Sequence, residues 1–216
     1  MTVYRLGQQA LRHTNLYFEQ IEGDTRRVEC VDMSGDPLIS NLRPGHSETI
    51  RWGRAVKTEH LPKKLRPKGP QKRMPDFALV AMGQIASAAF REVAEALEPG
   101  VHQFEPVTVV DKRGETLAEM FWFVPCQRLD TLAVDLLVPP LESSGKYYPL
   151  ANEIRIVFDA AKVGDAAIWC DARFTGTLFA SDRFKDAAEA AGLTGLDFKP
   201  YETVGGTPAV EVRQDG

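Results

Sequence analysis

One pattern constrains this chain more than any other: a stretch that begins at Ser87 returns, without a gap, 94 residues later. Ser87, Phe90, Ala94, Glu95, Ala96, Phe104 and Pro106 are matched by Ser181, Phe184, Ala188, Glu189, Ala190, Phe198 and Pro200. Arg91-Glu92 is answered by Lys185-Asp186, so the sign of each charge is kept as well. Shared helical composition could produce several of these identities, but it does not explain why a Phe-x-Pro follows each helix at the same distance. The chain is therefore read as carrying two similar helix-then-strand units, at about residues 84–107 and 178–201.

The mechanics are plainest in the second unit. Thr177-Leu178-Phe179-Ala180 reads as a strand, Ser181 as a helix N-cap, and Asp182 puts negative charge in the first turn, where the helix dipole favours it. Phe184, Ala187, Ala188 and Ala191 recur at helical spacing, and Gly192-Leu193 has the form of a Schellman stop. In the first unit Ile85, Ala88, Ala89, Val93, Ala96 and Leu97 form the apolar stripe, ended by Glu98-Pro99-Gly100. Between the units, Met120 to Cys126, Leu132 to Val138, Glu153 to Asp159 and Ala167 to Asp171 are rich in β-branched and aromatic residues and read as four strands. Strands outnumber helices and are not each followed by one, so the expected class is α+β with a largely antiparallel sheet; doubly wound α/β is the alternative.

The remainder is less regular. From Val3 to Trp52 short apolar groups alternate with turn residues such as Gly23-Asp24, Ser34-Gly35-Asp36-Pro37 and Pro44-Gly45, which predicts a meander of short strands. Residues 54–75 carry Pro62, Pro67, Pro70 and Pro75 among lysines and are expected to be an exposed, irregular basic loop. Nine of the Lys and Arg residues lie between Arg51 and Arg73, against Glu59 alone. The formal net charge of -4 thus hides a body of about -12, which disfavours general binding to phosphate backbones. With 216 residues and 44% apolar content the chain can bury a substantial core. It is expected to form a single domain over 1–216, made of a strand-rich portion at 1–53, the basic loop at 54–75 and an α+β body at 76–216.

Compartment follows from what the sequence offers to export and to the bilayer. Met1 to Leu6 shows no basic segment followed by a long apolar run, and Leu132 to Leu141 is short and broken by Asp135 and two prolines. Neither a secretion signal nor a membrane span is expected, and the protein is placed in the cytoplasm. Cys30, Cys126 and Cys170 form no CxxC pair and read as reduced, mostly buried thiols.

No recognised catalytic or cofactor pattern emerges. GxGxxG, GxxxxGK[ST] and GxSxG are absent, and His13, His46, His60 and His102 have no spacing that would set two imidazoles on one face. His102, next to the predicted Phe104 strand, reads as a satisfied histidine. Pro75-Asp76 could open a metal-dependent nuclease motif, but Asp159-Ala160-Ala161-Lys162 has one residue too many to put its lysine on the same strand face as the acid. Catalytic, metal and cofactor residues are accordingly expected to be none. A small-molecule site or enzyme centre assembled from distant residues is the alternative.

That leaves recognition of another protein. Aromatic residues and arginine are the usual interface anchors, so Trp52, Tyr147, Tyr148 and Arg173 are candidates, with Lys63, Lys64 and Arg66 of the basic loop beside them. Tyr147-Tyr148 follows the loop-forming Ser143-Ser144-Gly145-Lys146, whereas Trp169, inside Ile168-Trp169-Cys170, reads as core. The basic loop lacks interleaved aromatics to stack bases, and its prolines forbid a groove-reading helix.

Ser181-Asp182-Arg183-Phe184-Lys185-Asp186, followed by Ala190-Ala191-Gly192-Leu193-Thr194-Gly195-Leu196-Asp197-Phe198-Lys199-Pro200, resembles the C-terminal signature of the bacterial polymorphic-toxin immunity proteins, a family first catalogued as a domain of unknown function. Pro75-Asp76-Phe77, the Ser87 to Leu97 helix, His102-Gln103-Phe104-Glu105-Pro106-Val107, and Ile168-Trp169 with the preceding Asp159 resemble it too, so the likeness covers roughly 60 to 200. The resemblance implies a cytoplasmic protein that binds a cognate antibacterial toxin and blocks it. It supplies no catalytic residues. An acidic body would suit a basic toxin such as a nuclease. The first 55 residues match nothing nameable.

Overall fold

A computed structural model of the protein describes residues 1–8, 17–32, 34, 49–69, 73–80, 83–150 and 152–205. In chain order these form β1 (Val3–Gln8), β2 (Phe18–Ile21), β3 (Lys64–Pro67), β4 (Phe77–Val80), β5 (Gly83–Ala86), α1 (Ala88–Leu97), β6 (Gln103–Val110), β7 (Thr116–Val124), β8 (Arg128–Leu129), β9 (Val157–Asp159), α2 (Ala160–Val163), β10 (Ile168–Asp171), β11 (Leu178–Ser181), α3 (Asp182–Ala190) and β12 (Leu196–Val204). The class is α+β in the broad sense, dominated by strands. Instead of one largely antiparallel sheet there are two mixed six-stranded sheets, ordered β2-β3-β6-β7-β5-β4 and β8-β10-β11-β1-β12-β9.

The two sheets are wired alike. In one, β5 and β6 flank β7, are antiparallel to it and are joined over it by α1; in the other, β11 and β12 flank β1 in the same way and are joined by α3. Further out, β4 is antiparallel to β5 as β10 is to β11, and β3 is parallel to β6 as β9 is to β12. The register agrees residue for residue. Ile85 and Ala86 face Trp122 and Phe121, while Phe179 and Ala180 face Arg5 and Tyr4. Pro106 lies opposite Phe121, and Pro200 opposite Tyr4. Even the exposed decoration recurs: Arg91 sits over the Phe121 ring at 5.1 Å, and Lys185 over the Tyr4 ring at 5.9 Å. The units differ in where the middle strand originates. β7 follows β6 directly, whereas β1 comes from the far end of the chain.

The pleat sends alternate residues to opposite faces, and both sheets use both faces. Phe90 and Ala94 of α1 and Phe184 and Ala188 of α3 share one core with Ala86, Phe123, Leu6 and Ala180. The Phe90 and Phe184 rings meet with centroids 5.4 Å apart. Beyond the first sheet, Ile85, Trp122, Leu65 and Val109 build a second core; beyond the other, Val3, Phe158, Trp169 and Phe179 build a third. Trp169 is fully buried, as its apolar strand requires.

Helix boundaries follow the capping chemistry. Ser87 Oγ accepts from the Phe90 N–H at 3.2 Å, and α1 ends at Leu97. At the end of α3 Gly192 has φ 67°, its N–H donates to the Glu189 carbonyl, and the Leu193 N–H donates to the Ala188 carbonyl. That is the paired hydrogen bonding of a Schellman stop. Ser181 occupies the N-cap of α3, but its buried hydroxyl makes no capping bond.

Three expectations are corrected. The N-terminal portion is no meander: β1 joins the sheet of the C-terminal strands and β2 joins the other, because Val3 and Leu6 fill different cores from Phe18. The proposed turns at 35–37 and 44–45, with His13 and His46, lie outside the described residues. The basic segment is not wholly irregular, since Lys64–Pro67 forms β3 between β2 and β6. Leu65 is driven into the core there, and Pro67 is tolerated at the strand's last position. Finally, Leu132 to Val138 is not a strand: a turn of 3-10 helix at Val134–Leu136 separates single bridges from Leu132 to Phe158 and from Val138 to Arg155.

Candidate binding surface

Sequence-predicted anchors separate into those the fold consumes and those it presents. Trp52 is 1% exposed, and its carbonyl accepts from Arg128 Nη1, so its ring packs inward and is withheld from a partner. Lys64 and Arg66 lie on β3 and pair across the strand with Glu22 at 2.7 Å and Glu19 at 3.0 Å; Arg66 also donates to the Asp111 carbonyl. Lys63 precedes the strand and is exposed. The basic character of this segment is thus partly neutralised by β2. Tyr147 is only 2% exposed, donates its hydroxyl to the Val138 carbonyl at 2.9 Å and packs edge-on against Phe174. It is a buttress, not an anchor.

Arg173 is tied to the long connection from β8 to β9, which carries Tyr148 on its exposed side. Arg173 grips Asp130 with two bonds of 2.6 and 2.7 Å and donates to the Gly145 carbonyl, while its own carbonyl accepts from the Tyr147 N–H. Beneath it the buried Asp171 carboxylate accepts from the Thr131 N–H and hydroxyl and from the Arg173 and Phe174 N–H groups. Trp169 donates its indole N–H to the Thr131 hydroxyl. Val138 and Arg155 exchange both backbone hydrogen bonds. The connection is therefore held firmly although it contains little regular structure.

What it presents is apolar. Leu132, Leu137 and Ile156 turn inward, and Leu136, Val138, Tyr148, Leu150 and Ile154 turn out, with Leu150 86% exposed. Among the described residues eight large hydrophobic side chains are exposed, and these five fall within residues 136–154. Scattered exposed apolar residues are ordinary, so what distinguishes this segment is that it carries most of them. Sequence reasoning missed four of the five: reading 132–138 and 153–159 as strands sent Leu136, Val138 and Ile154 to the core, and Leu150, between them, was not singled out. The available signal was Pro139-Pro140 and Pro149, which break strand alternation beside them.

The motifs that resembled a family signature turn out to join the two units. Asp76 accepts the hydroxyl of Ser87 at 2.7 Å and both the N–H and the hydroxyl of Thr194, whose carbonyl accepts from the Phe77 N–H. Burial pushes the Asp76 carboxyl up, and these hydrogen bonds together hold it below the usual range. Gly195, at φ 84°, must lack a side chain, since a Cβ would collide with the Phe77 carbonyl and with Pro75. Glu98, 7% exposed, makes a second joint. Its carboxylate accepts from Gln127 Nε2, from the Ala167 and Ile168 N–H groups and, at 2.8 Å, from His102 Nε2. The Cys126 N–H donates to His102 Nδ1, which puts the imidazole proton on Nε2, facing Glu98. Burial raises the Glu98 carboxyl, but the bonds from His102 and the Ala167 N–H outweigh it and hold the group ionised below its ordinary value.

These carboxylates are saturated with internal donors, which suits bracing better than proton transfer. Burial pushes the Cys30 thiol up to about 11 and the Cys170 thiol up to about 12, so neither supplies a thiolate near neutral pH. Asp159 caps α2 through the Ala161 N–H, and Lys162 donates to the Leu132 carbonyl. A cleft of about 310 Å³ is lined in part by Arg5, Gln8, Arg51, Gln84 and Asp197. Arg51 there donates to Gln84 Oε1 and the Gly83 carbonyl, and Gln8 accepts from the Leu79 N–H. Among the described residues no group of three or more His, Cys, Asp or Glu is arranged to hold a metal, and no helix is long and apolar enough to cross a membrane.

No curated protein sequence matches the chain. One family model does, over residues 36–203, reaching further toward the N-terminus than the likeness read from the motifs. It spans both joints, all three helices and the connection that carries the exposed apolar residues. The chain belongs to the immunity protein family Imm11.

Proposed function

We propose that this protein binds a cognate antibacterial toxin in the cytoplasm of the cell that makes it and silences the toxin by covering its working surface, without catalysis of its own. The observation that carries this reading is the pairing of membership in an immunity family with a firmly backed apolar surface at 136–154. Occlusion needs a preorganised, complementary face of about 800 Å² per partner and no reactive group. The carboxylates and thiols described above serve packing and bracing, which is the use such a role makes of them. Co-expression tests the proposal: the chain is expected to rescue cells producing the toxin encoded beside it and to co-elute with that toxin as a one-to-one complex. Absence of both rescue and complex would refute it.

A further inference from the structure

We infer that the face built by residues 135–154 is where the toxin docks, and that it takes a protein surface carrying an apolar knob ringed by Lys and Arg. This rests on the reading of the chain as a toxin binder and adds to it a location and a partner chemistry. The apolar centre is Leu136, Val138, Tyr148, Leu150 and Ile154, and the backbone between them is tied by the Val138–Arg155 exchange and by the Tyr147 hydroxyl on Val138.

The charge around that centre is one-sided. Asp135, Glu142 and Glu153 are exposed, and among the described residues none of them has an ion-pair partner. Of the neighbouring cations, Arg155 pairs with Glu202 at 2.6 Å, Arg173 with Asp130, and Lys162 donates to the Leu132 carbonyl; Lys146, inside the segment, is buried and leaves three exposed acids against one cation. The rim is therefore net negative, in a chain whose charge outside residues 51–73 is about -12. An unpaired acidic rim around an apolar centre repels acidic proteins and nucleic acid, and it steers a basic protein so that its apolar residues meet this one. The backbone at Val138 is held by its bonds to Arg155 and the Tyr147 hydroxyl before any partner arrives, so that part of the face loses little ordering entropy on docking.

The test uses the full chain and the polypeptide encoded in the adjacent reading frame, inactivated for binding measurements and active for rescue. L150D/I154D removes the apolar centre, D135K/E142K/E153K reverses the rim, and V31D alters an exposed apolar residue outside the face. Unfolding midpoints within about 2 °C of the parent establish that each variant is folded, as expected for such exposed positions. The expected result is a dissociation constant raised at least about 30-fold by L150D/I154D, association slowed about tenfold at low salt by the rim reversal, and V31D like the parent. Rescue is lost with L150D/I154D. If the parent binds and rescues but both face variants bind within threefold of it, the docking face is refuted while the toxin-binder reading stands. If the parent itself neither binds nor rescues, that reading falls first. If the parent self-associates, L150D/I154D makes it monomeric and toxin binding is unchanged, the face joins copies of this chain and the inference is overturned.

Discussion

The strand–helix–strand unit at 83–110 and the one at 178–204 share a wiring diagram and a register, yet they are finished by different means. The first takes its middle strand, β7, from the chain that follows, whereas the second takes β1 from the opposite end of the sequence. The first ties its helix cap into the structure, with Ser87 bonded to both Asp76 and the helix, while the equivalent Ser181 hydroxyl is buried without a partner. The first helix ends on Glu98, which reaches across to β10, while the second stops at Gly192. One pattern of apolar residues is therefore enough to specify a unit twice, and the polar residues decide how each copy is fastened to the other.

Removing residues 1–8 should break the comparison outright. The second sheet would lose its middle strand, leaving β11 and β12 each with one open edge, and the shared core would open at Leu6. Loss of the cooperative unfolding transition is the expected result; a truncated chain that still melted sharply would show that β1 is dispensable. The helix–helix contact should respond more symmetrically. Phe90→Ala and Phe184→Ala, both from fully buried positions, should each cost about 3–5 kcal/mol in chemical denaturation. Their coupling in a double-mutant cycle should be about 0.5–1.5 kcal/mol, as for contacting aromatic rings. Coupling near zero would mean that the two units do not lean on each other there.

Glu98 sharpens the asymmetry. Glu98→Gln turns one acceptor oxygen into a donor facing the Ile168 N–H and His102, and should cost about 3 kcal/mol. Because the folded carboxyl lies below its unfolded value of about 4.5, its contribution is fully present above that pH and fades as pH falls through the folded value. The stability difference between Glu98→Gln and the parent should therefore shrink in urea titrations below about pH 4.5, and a constant difference would count against an ionised Glu98. The smallest contrast is in the caps. Ser87→Ala should cost about 1–2 kcal/mol, but Ser181→Ala should stay within about 0.5 kcal/mol of zero, since it removes a hydroxyl that bonds nothing. Equal losses would mean that Ser181 caps α3 in solution.

Local chemistry was readable where it closes on itself. Helices α1 and α3 and the Gly192 stop follow from residues within a few positions of one another, and the burial of Trp169 follows from its apolar strand; the expected Ser181 cap does not form, while Ser87, not named as a cap, does cap α1. The exposed apolar segment was only partly readable. Tyr148 was singled out because its residue type suggests an interface and it is exposed, but Trp52 and Tyr147 share that chemistry and are buried. An aromatic side chain carries no mark of which way its loop will turn. Leu136, Val138 and Ile154 were hidden for the converse reason, because apolar residues in a strand-like run look like core until the run is seen to break.

What the sequence determined by itself is the periodic part: where α1 and α3 run and how α3 stops, because these depend on hydrogen bonds and alternation between near neighbours in the chain. What only the tertiary structure decided is partnership. That β1 pairs with β11 and β12, more than 170 residues further along, that Asp76 holds Thr194, that Glu98 braces β10, and that the connection between β8 and β9 faces outward all depend on groups far apart in the chain. Such contacts are selected by the fit of whole cores and the need to satisfy buried polar groups, which no local pattern records.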